Sequence, residues 1–188
     1  YAFEKLKAEL IFEFDADLSH PPAAIPRFLA LIDQGADLVI GTRYSEGGSI
    51  PADWGWHRKL LSRGGNLVIG LVFLNKRVRD WTSGFRAITK PVYEQVAPQL
   101  ESAKFKGYTF QVGFLYTALQ AGFKLAQVPY HFRDRDRGHS KIGAEYIVNT
   151  LMYIFQLRLN TLFNHRLFKF ALVGGVGGVV QFVSLAIF

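Results

Sequence analysis

Hydrophobic and polar positions alternate along this chain in short blocks that predict an α/β domain followed by long helices. Leu10, Ile11, Phe12 and Phe14 form an apolar run that predicts a strand, and Pro21 and Pro22 fit the start of a helix over 23–32. The run ADLVIG, 36–41, predicts a second strand that ends in a loop. Strand, helix and strand in that order predict a parallel sheet. Apolar residues recur at helical spacing over 57–74, where Arg58, Ser62 and Asn66 fall on one face. A helix over 110–121 is stopped by Gly122, and the strand over 123–132 carries Pro129, which places it towards a sheet edge.

The pattern then changes scale. Residues 143–164 predict a helix with a broad apolar face, and 170–188 hold no charged residue, with Gln181 and Ser184 as the polar side chains. That last stretch predicts the start of a transmembrane helix, and Gly174 and Gly178 suggest a G-x-x-x-G packing face. Arg158, His165, Arg166 and Lys169 precede it, so the positive-inside rule puts the preceding domain in the cytoplasm. The helix over 143–164 then suits the membrane surface.

Composition narrows the classes. A length of 188 residues leaves room for about one domain, and the chain is read as a fragment, because it opens without Met or a signal pattern and stops within an apolar run. The formal charge of +7 predicts an anionic partner without choosing one. The lack of Cys excludes disulfides, Cys-ligated zinc and thiol catalysis.

The candidate chemistry begins where the first strand ends, in ELIFEFDADLSHPP, 9–22. Asp15 and Asp17 stand at a strand end before a helix, where ligands bind in open α/β sheets. Two such carboxylates can share Mg²⁺ or Mn²⁺, with a nucleotide diphosphate supplying further oxygens. The plainer reading has Asp17 or Ser19 capping the helix and Asp15 lining a solvated turn. The Gly- and Ser-rich loop over 42–56 is long enough to be functional, and it makes the Arg58, Ser62 and Asn66 stripe more than a solvated face. DWTSGFRA, 80–87, fits a turn, and RDRDRGHSK, 133–141, would put Arg133, Arg135 and Arg137 on one side if extended.

Taken in order, DADLSHPP, DLVIGTRY with Gly47 and Gly48, the 56–66 segment, DWTSGFRA, GYTFQ and RDRGHSK resemble the dolichol-phosphate mannose synthases, membrane-associated enzymes of glycosyltransferase family two. The resemblance covers 10–141, and LFKFALVGGVGG is similar to the start of a GtrA-type membrane domain. It implies a GT-A fold with its N-terminal part missing, divided as 1–142, then an interfacial helix and linker over 143–166, then a truncated membrane domain over 167–188. It implies inverting transfer of mannose from GDP-mannose to dolichyl or polyprenyl phosphate by a multi-pass membrane protein. Asp15 and Asp17 match the metal and nucleotide motif; Arg43, Arg58 and Ser62 match positions that hold the lipid phosphate. Arg135 and Lys141 match the basic motif that closes on the phosphates, and Gln111 and Asp80 complete the implied site. Three departures stand out: Glu13 in a strand that is usually apolar, Ser19 where some members carry Gln, and Gly113 where Glu is typical.

Two other classes compete. The donor could be UDP-glucose with undecaprenyl phosphate as acceptor, or the domain could be a non-catalytic, lipid-translocating membrane protein. No aromatic-basic RNA motif or recognition helix speaks for nucleic acid.

Overall fold

A computed structural model describes residues 2–5, 7–100, 109–134, 144–164 and 166–187. Its frame is a four-stranded sheet of β1 (Leu10–Glu13), β2 (Leu38–Thr42), β3 (Arg86–Thr89) and β4 (Leu125–Pro129), in the order β1-β3-β2-β4. The helices are α1 (Ala2–Lys5), α2 (Ile25–Asp33), α3 (Trp56–Val72), α4 (Lys90–Leu100), α5 (Thr109–Gln120), α6 (Ala144–Asn164) and α7 (Arg166–Ile187).

The sheet is mixed, which corrects the parallel arrangement expected from strand, helix and strand. β1 and β2 do run the same way, but β3 lies between them and is antiparallel to both; β2 and β4 are parallel. The turn chemistry of DWTSGFRA concealed this strand, whose Ala87 and Ile88 are buried on opposite faces. β4 lies at an edge, as Pro129 required, and that proline is its last residue.

Central position explains composition. β2 is buried along its whole length, with Leu38 and Ile40 facing the core under α4 and α5 and Val39 facing the smaller core around Phe28 of α2. Each fully buried side chain of this size contributes about 1.5–3 kcal/mol. Gly41 on the same strand is required by packing, because a Cβ there would come within 2.7 Å of the Tyr130 ring. β1 is half-buried, and its Glu13 sits directly opposite Arg86.

α6 packs on α3 and α5 through Ile154, which is fully buried, and Tyr116 Oη donates to Thr161 Oγ1 at 3.0 Å. The helix therefore has a core-facing side as well as an exposed apolar side that includes Val148, Met152, Phe155 and Phe163. Gly113 of α5 marks the docking point: a Cβ there would collide with Tyr153 Oη. The place where the family resemblance leads one to expect Glu is thus filled by a tyrosine from another helix. Gly113→Ala should displace that ring and lower stability by about 1–3 kcal/mol, as over-packing does. Urea unfolding checks this, and a loss restored by Tyr153→Phe or Tyr153→Leu would locate the clash.

Among the described residues no helix is long and apolar enough to cross a membrane. The uncharged stretch of α7 after Lys169 has its large apolar side chains exposed, from Phe170 to Leu185.

Candidate active site

The turn after β1 places Asp15 and Asp17 at the carboxyl end of that strand, as the sequence implied. Asp17 Oδ1 accepts from the Ser19 backbone N–H at 3.1 Å, which fixes the turn around Leu18, a residue with φ of 64°. Neither Asp17 nor Ser19 caps a helix: α2 and the 3-10 turn Pro22–Ala24 before it have no side-chain cap. Ser19 is buried, and among the described residues its Oγ makes no hydrogen bond.

His20 holds the turn from beneath. Its Nδ1 accepts from the Asp15 N–H at 2.9 Å, and its ring stacks on Phe85 with centroids 5.2 Å apart. Burial pushes the imidazole below its ordinary pKa, outweighing the field of Asp15. A ring nitrogen that accepts a hydrogen bond carries no proton, so the 4.0 Å approach of Asp15 Oδ2 to Nδ1 is not an ion pair. Arg43, Asp17 and Asp80 are also within electrostatic reach of this ring, which places all of them around one site.

Arg43 follows β2 and meets Asp80 in a two-pronged ion pair, Nε to Oδ2 at 2.7 Å and Nη2 to Oδ1 at 2.8 Å. The Arg43 backbone N–H adds 3.1 Å to the same carboxylate, and Nη2 also donates to Thr82. Asp80 is fully buried. Burial alone would lower the guanidinium pKa, but Asp80 overrides it and raises it. Only Nη1 of Arg43 makes no hydrogen bond among the described residues, so most of this group is committed to the fold.

The stripe on α3 turns inward. Asn66 is buried, accepts from the Trp81 backbone N–H at 2.6 Å and donates to Ser62 O at 3.0 Å, clamping the 80–82 turn. The Ser62 hydroxyl bonds Tyr44 Oη, and Tyr44 lies under the Arg43 guanidinium, 5.2 Å from its ring centre. Arg58 forks onto Asp134, Nη1 to Oδ2 at 2.8 Å and Nη2 to Oδ1 at 3.1 Å, and stacks on Trp54 at 3.7 Å. The Trp54 indole N–H donates to the same carboxylate.

The segment after β4 draws these pieces together. Ser49 N–H donates to Tyr130 O, Phe132 N–H to Ser49 O and Arg133 N–H to Ser19 O, so 130–134 runs between the 42–56 loop and the aspartate turn. Phe132 stands between the two arginines, 5.6 Å from the Arg43 guanidinium and 5.6 Å from the Trp54 ring. Sequence reasoning weighed the arginines of this segment; the residue that reaches α3 is Asp134. Arg135 and Lys141 lie outside the described residues.

Gln111 lies in the first turn of α5 with a buried Oε1 that has no hydrogen bond among the described residues. Among the described residues no cluster of three or more His, Cys, Asp or Glu could hold a metal ion. The donor set that remains, two carboxylates on one turn with Asp15 well exposed, fits a hard cation that keeps water and takes phosphate oxygens for its other ligands.

Sequence reasoning missed His20, Tyr44, Trp54 and Arg86. Arg86 is fully buried; its Nε donates to Ser83 O, while Nη1 and Nη2 have no hydrogen bond among the described residues. Burial lowers its pKa to about 10, partly countered by Glu13 and Asp80. Glu13 across the sheet is raised by burial and lowered by Arg86, so these opposite charges explain each other's tolerance in a half-apolar strand. The unusual Glu13 was the available signal.

A mixed α/β sheet with an exposed Asp-x-Asp turn at a strand end and two arginines along one wall brings carboxylates and forked cations to one side of the domain, a combination suited to anionic ligands. The model of glycosyl transferase family 2 matches residues 1–97, and this chain belongs to that family. The architecture fits the GT-A fold. The chain is 37% identical over 138 residues to polyprenol monophosphomannose synthase of Mycolicibacterium smegmatis, covering 73% of this chain and 51% of the relative. It is 34% identical over 195 residues to dolichol-phosphate mannosyltransferase of Pyrococcus furiosus, covering 98% of this chain and 52% of the relative. The chain thus spans about half the length of the curated relatives it matches.

Proposed function

We propose that the protein of which this chain is part transfers mannose from GDP-mannose to a polyprenyl or dolichyl phosphate, with inversion at the anomeric carbon. The observation that carries the reading is the meeting, along 130–134, of the aspartate turn with Arg43 and Arg58. Its resemblance to the two named mannosyl transferases supports the sugar and the lipid.

In this reading an acceptor phosphate oxygen attacks C1 of the sugar, the bond from C1 to the diphosphate breaks, and GDP leaves with the electron pair. An acceptor that is already anionic needs no strong base, so alignment and charge do the work. Asp15 and Asp17 would hold Mg²⁺ or Mn²⁺, which when bound neutralises the leaving diphosphate. Arg58 takes the acceptor phosphate by exchanging it for Asp134. Both side chains of that pair are more than a third exposed, and exposed ion pairs hold little free energy. Arg43 contributes Nη1 and its charge while Asp80 holds it in place; Arg135 and Lys141 close on the phosphates from the segment that follows.

The reading includes the 1–142, 143–166 and 167–188 division, a membrane location and a cytoplasm-facing catalytic domain. Exposed Trp56, Leu60 and Leu61 on α3 and the open apolar faces of α6 and α7 support it, since patches of this kind mark interaction surfaces.

The test is a pair of titrations on the full-length protein in membranes. Arg58→Lys should raise the polyprenyl phosphate requirement about tenfold while sparing GDP-mannose binding, since an ammonium cannot fork two oxygens. Transfer from UDP-sugars in place of GDP-mannose would overturn the donor assignment, and loss of nucleotide binding in Arg58→Lys would overturn the acceptor assignment.

A further inference from the structure

Asp134 sits in a cradle of three donors. Its carboxylate takes Nη1 and Nη2 of Arg58 at 2.8 and 3.1 Å and the Trp54 indole N–H at 3.0 Å, while the guanidinium lies 3.7 Å from the centre of the Trp54 ring. Trp54 is only 7% exposed and packs edge-on against Phe132, so its N–H is presented from a fixed wall. A forked cation and a preset N–H converging on two anionic oxygens is an arrangement that suits a phosphate. Here a carboxylate of the chain itself fills it.

The two arginines of the site are held differently. Arg43 and Asp80 are 11% and 0% exposed, a pair locked into the fold, whereas Arg58 and Asp134 are 36% and 38% exposed. The second pair can open at small cost, because solvent replaces what the ions lose. The segment that carries it is also tied to the aspartate turn: Arg133 N–H donates to Ser19 O, and Ser19 N–H donates to Asp17 Oδ1. Between Asp17 and Ser19 stands Leu18, 71% exposed with φ of 64°, a left-handed conformation that a leucine adopts at a cost. A shift of Asp17 towards a bound cation therefore reaches the residue before Asp134 through two hydrogen bonds and a strained turn.

We propose that Asp134 is an internal competitor of the acceptor phosphate, held on Arg58 and Trp54 until the donor nucleotide and its cation engage Asp17, and that Trp54 Nε1 then becomes a ligand of the acceptor. The proposal rests on the transferase reading above and adds a third phosphate donor and an order of binding to it, donor before acceptor. Coupling of this kind is reciprocal, so the acceptor must tighten nucleotide binding by the same factor.

The full-length protein in detergent micelles is titrated with polyprenyl phosphate, with and without saturating GDP and Mg²⁺, and mannosyl transfer is measured in parallel. An exposed pair can hold back a ligand by up to about fivefold, so GDP with Mg²⁺ should tighten acceptor binding by about that factor in the unaltered protein. Asp134→Asn, which keeps the size and removes the charge, should bind the acceptor at the tighter value with or without nucleotide. A merely structural role predicts the reverse, a loss of affinity. Trp54→Phe keeps a ring beneath Arg58 but removes the donor, and should raise the acceptor KM about tenfold while kcat at saturation and the KM for GDP-mannose hold. Unchanged or weaker acceptor binding by nucleotide-free Asp134→Asn, or a nucleotide dependence that survives this substitution, would overturn the proposal. So would a Trp54→Phe loss confined to kcat or to GDP-mannose. Normal transfer with Asp134→Asn indistinguishable from the unaltered protein sinks this inference alone; an unaltered protein that neither binds polyprenyl phosphate nor transfers mannose removes the reading beneath it as well.

Discussion

Asp80→Ala should destabilise the domain by about 3–5 kcal/mol, the usual consequence of leaving one member of a buried ion pair uncompensated. The carboxylate is fully buried and receives three hydrogen bonds from Arg43 alone, two from the guanidinium and one from the backbone. Its loss strands a guanidinium that is itself 11% exposed. Arg43→Ala should cost a similar amount, and the cost must be separated from any effect on the acceptor phosphate. A double-mutant cycle in urea does so, because replacing both residues with apolar ones should recover much of the loss. Single substitutions costing under about 1 kcal/mol would show that the pair adds nothing to the fold.

The second large effect falls on chemistry. Asp17→Asn should lower transfer about a hundredfold or more, corresponding to several kcal/mol of charge stabilisation lost at the leaving diphosphate. The fold should hold, since Asn keeps an Oδ1 to accept the Ser19 N–H that orders the turn. GDP binding by calorimetry should depend on Mg²⁺ or Mn²⁺ in the unaltered protein, fall with EDTA, and become weak and metal-independent in the variant. Nucleotide affinity indifferent to both treatments would remove the metal from Asp15 and Asp17.

The placement of these residues was unequally legible in the sequence. The strand that leads to Asp15 and the shared face of Arg58, Ser62 and Asn66 on α3 followed from periodicity, because local pattern determines which residues share a face, but that this face turns inward did not. The position of β3 did not, since antiparallel insertion between two strands depends on pairing with residues far away in the chain. The family resemblance marked Arg43 and Arg58 as candidate phosphate ligands, but nothing in it showed them as partners of Asp80 and Asp134, because a side chain's partner across 37 or 76 residues leaves no mark in local sequence. Glu13 and Gly113 were legible as oddities; their explanations, Arg86 across the sheet and Tyr153 from α6, needed the tertiary structure.

The insertion of β3 also governs how the chain must fold as it is made. Leu38, Val39 and Ile40 emerge early as an apolar strand, yet the neighbour that separates them from β1 is completed only at Thr89. At 5–20 residues per second, β1 and β2 wait on the order of several seconds with unsatisfied edges. During that interval each could pair wrongly with the other, in the parallel arrangement their spacing invites, and β3 would then have to displace it. Slow synthesis through 43–85 would prolong exposure of those edges, whereas a holdase that shields 38–42 until β3 emerges would raise the yield of native sheet.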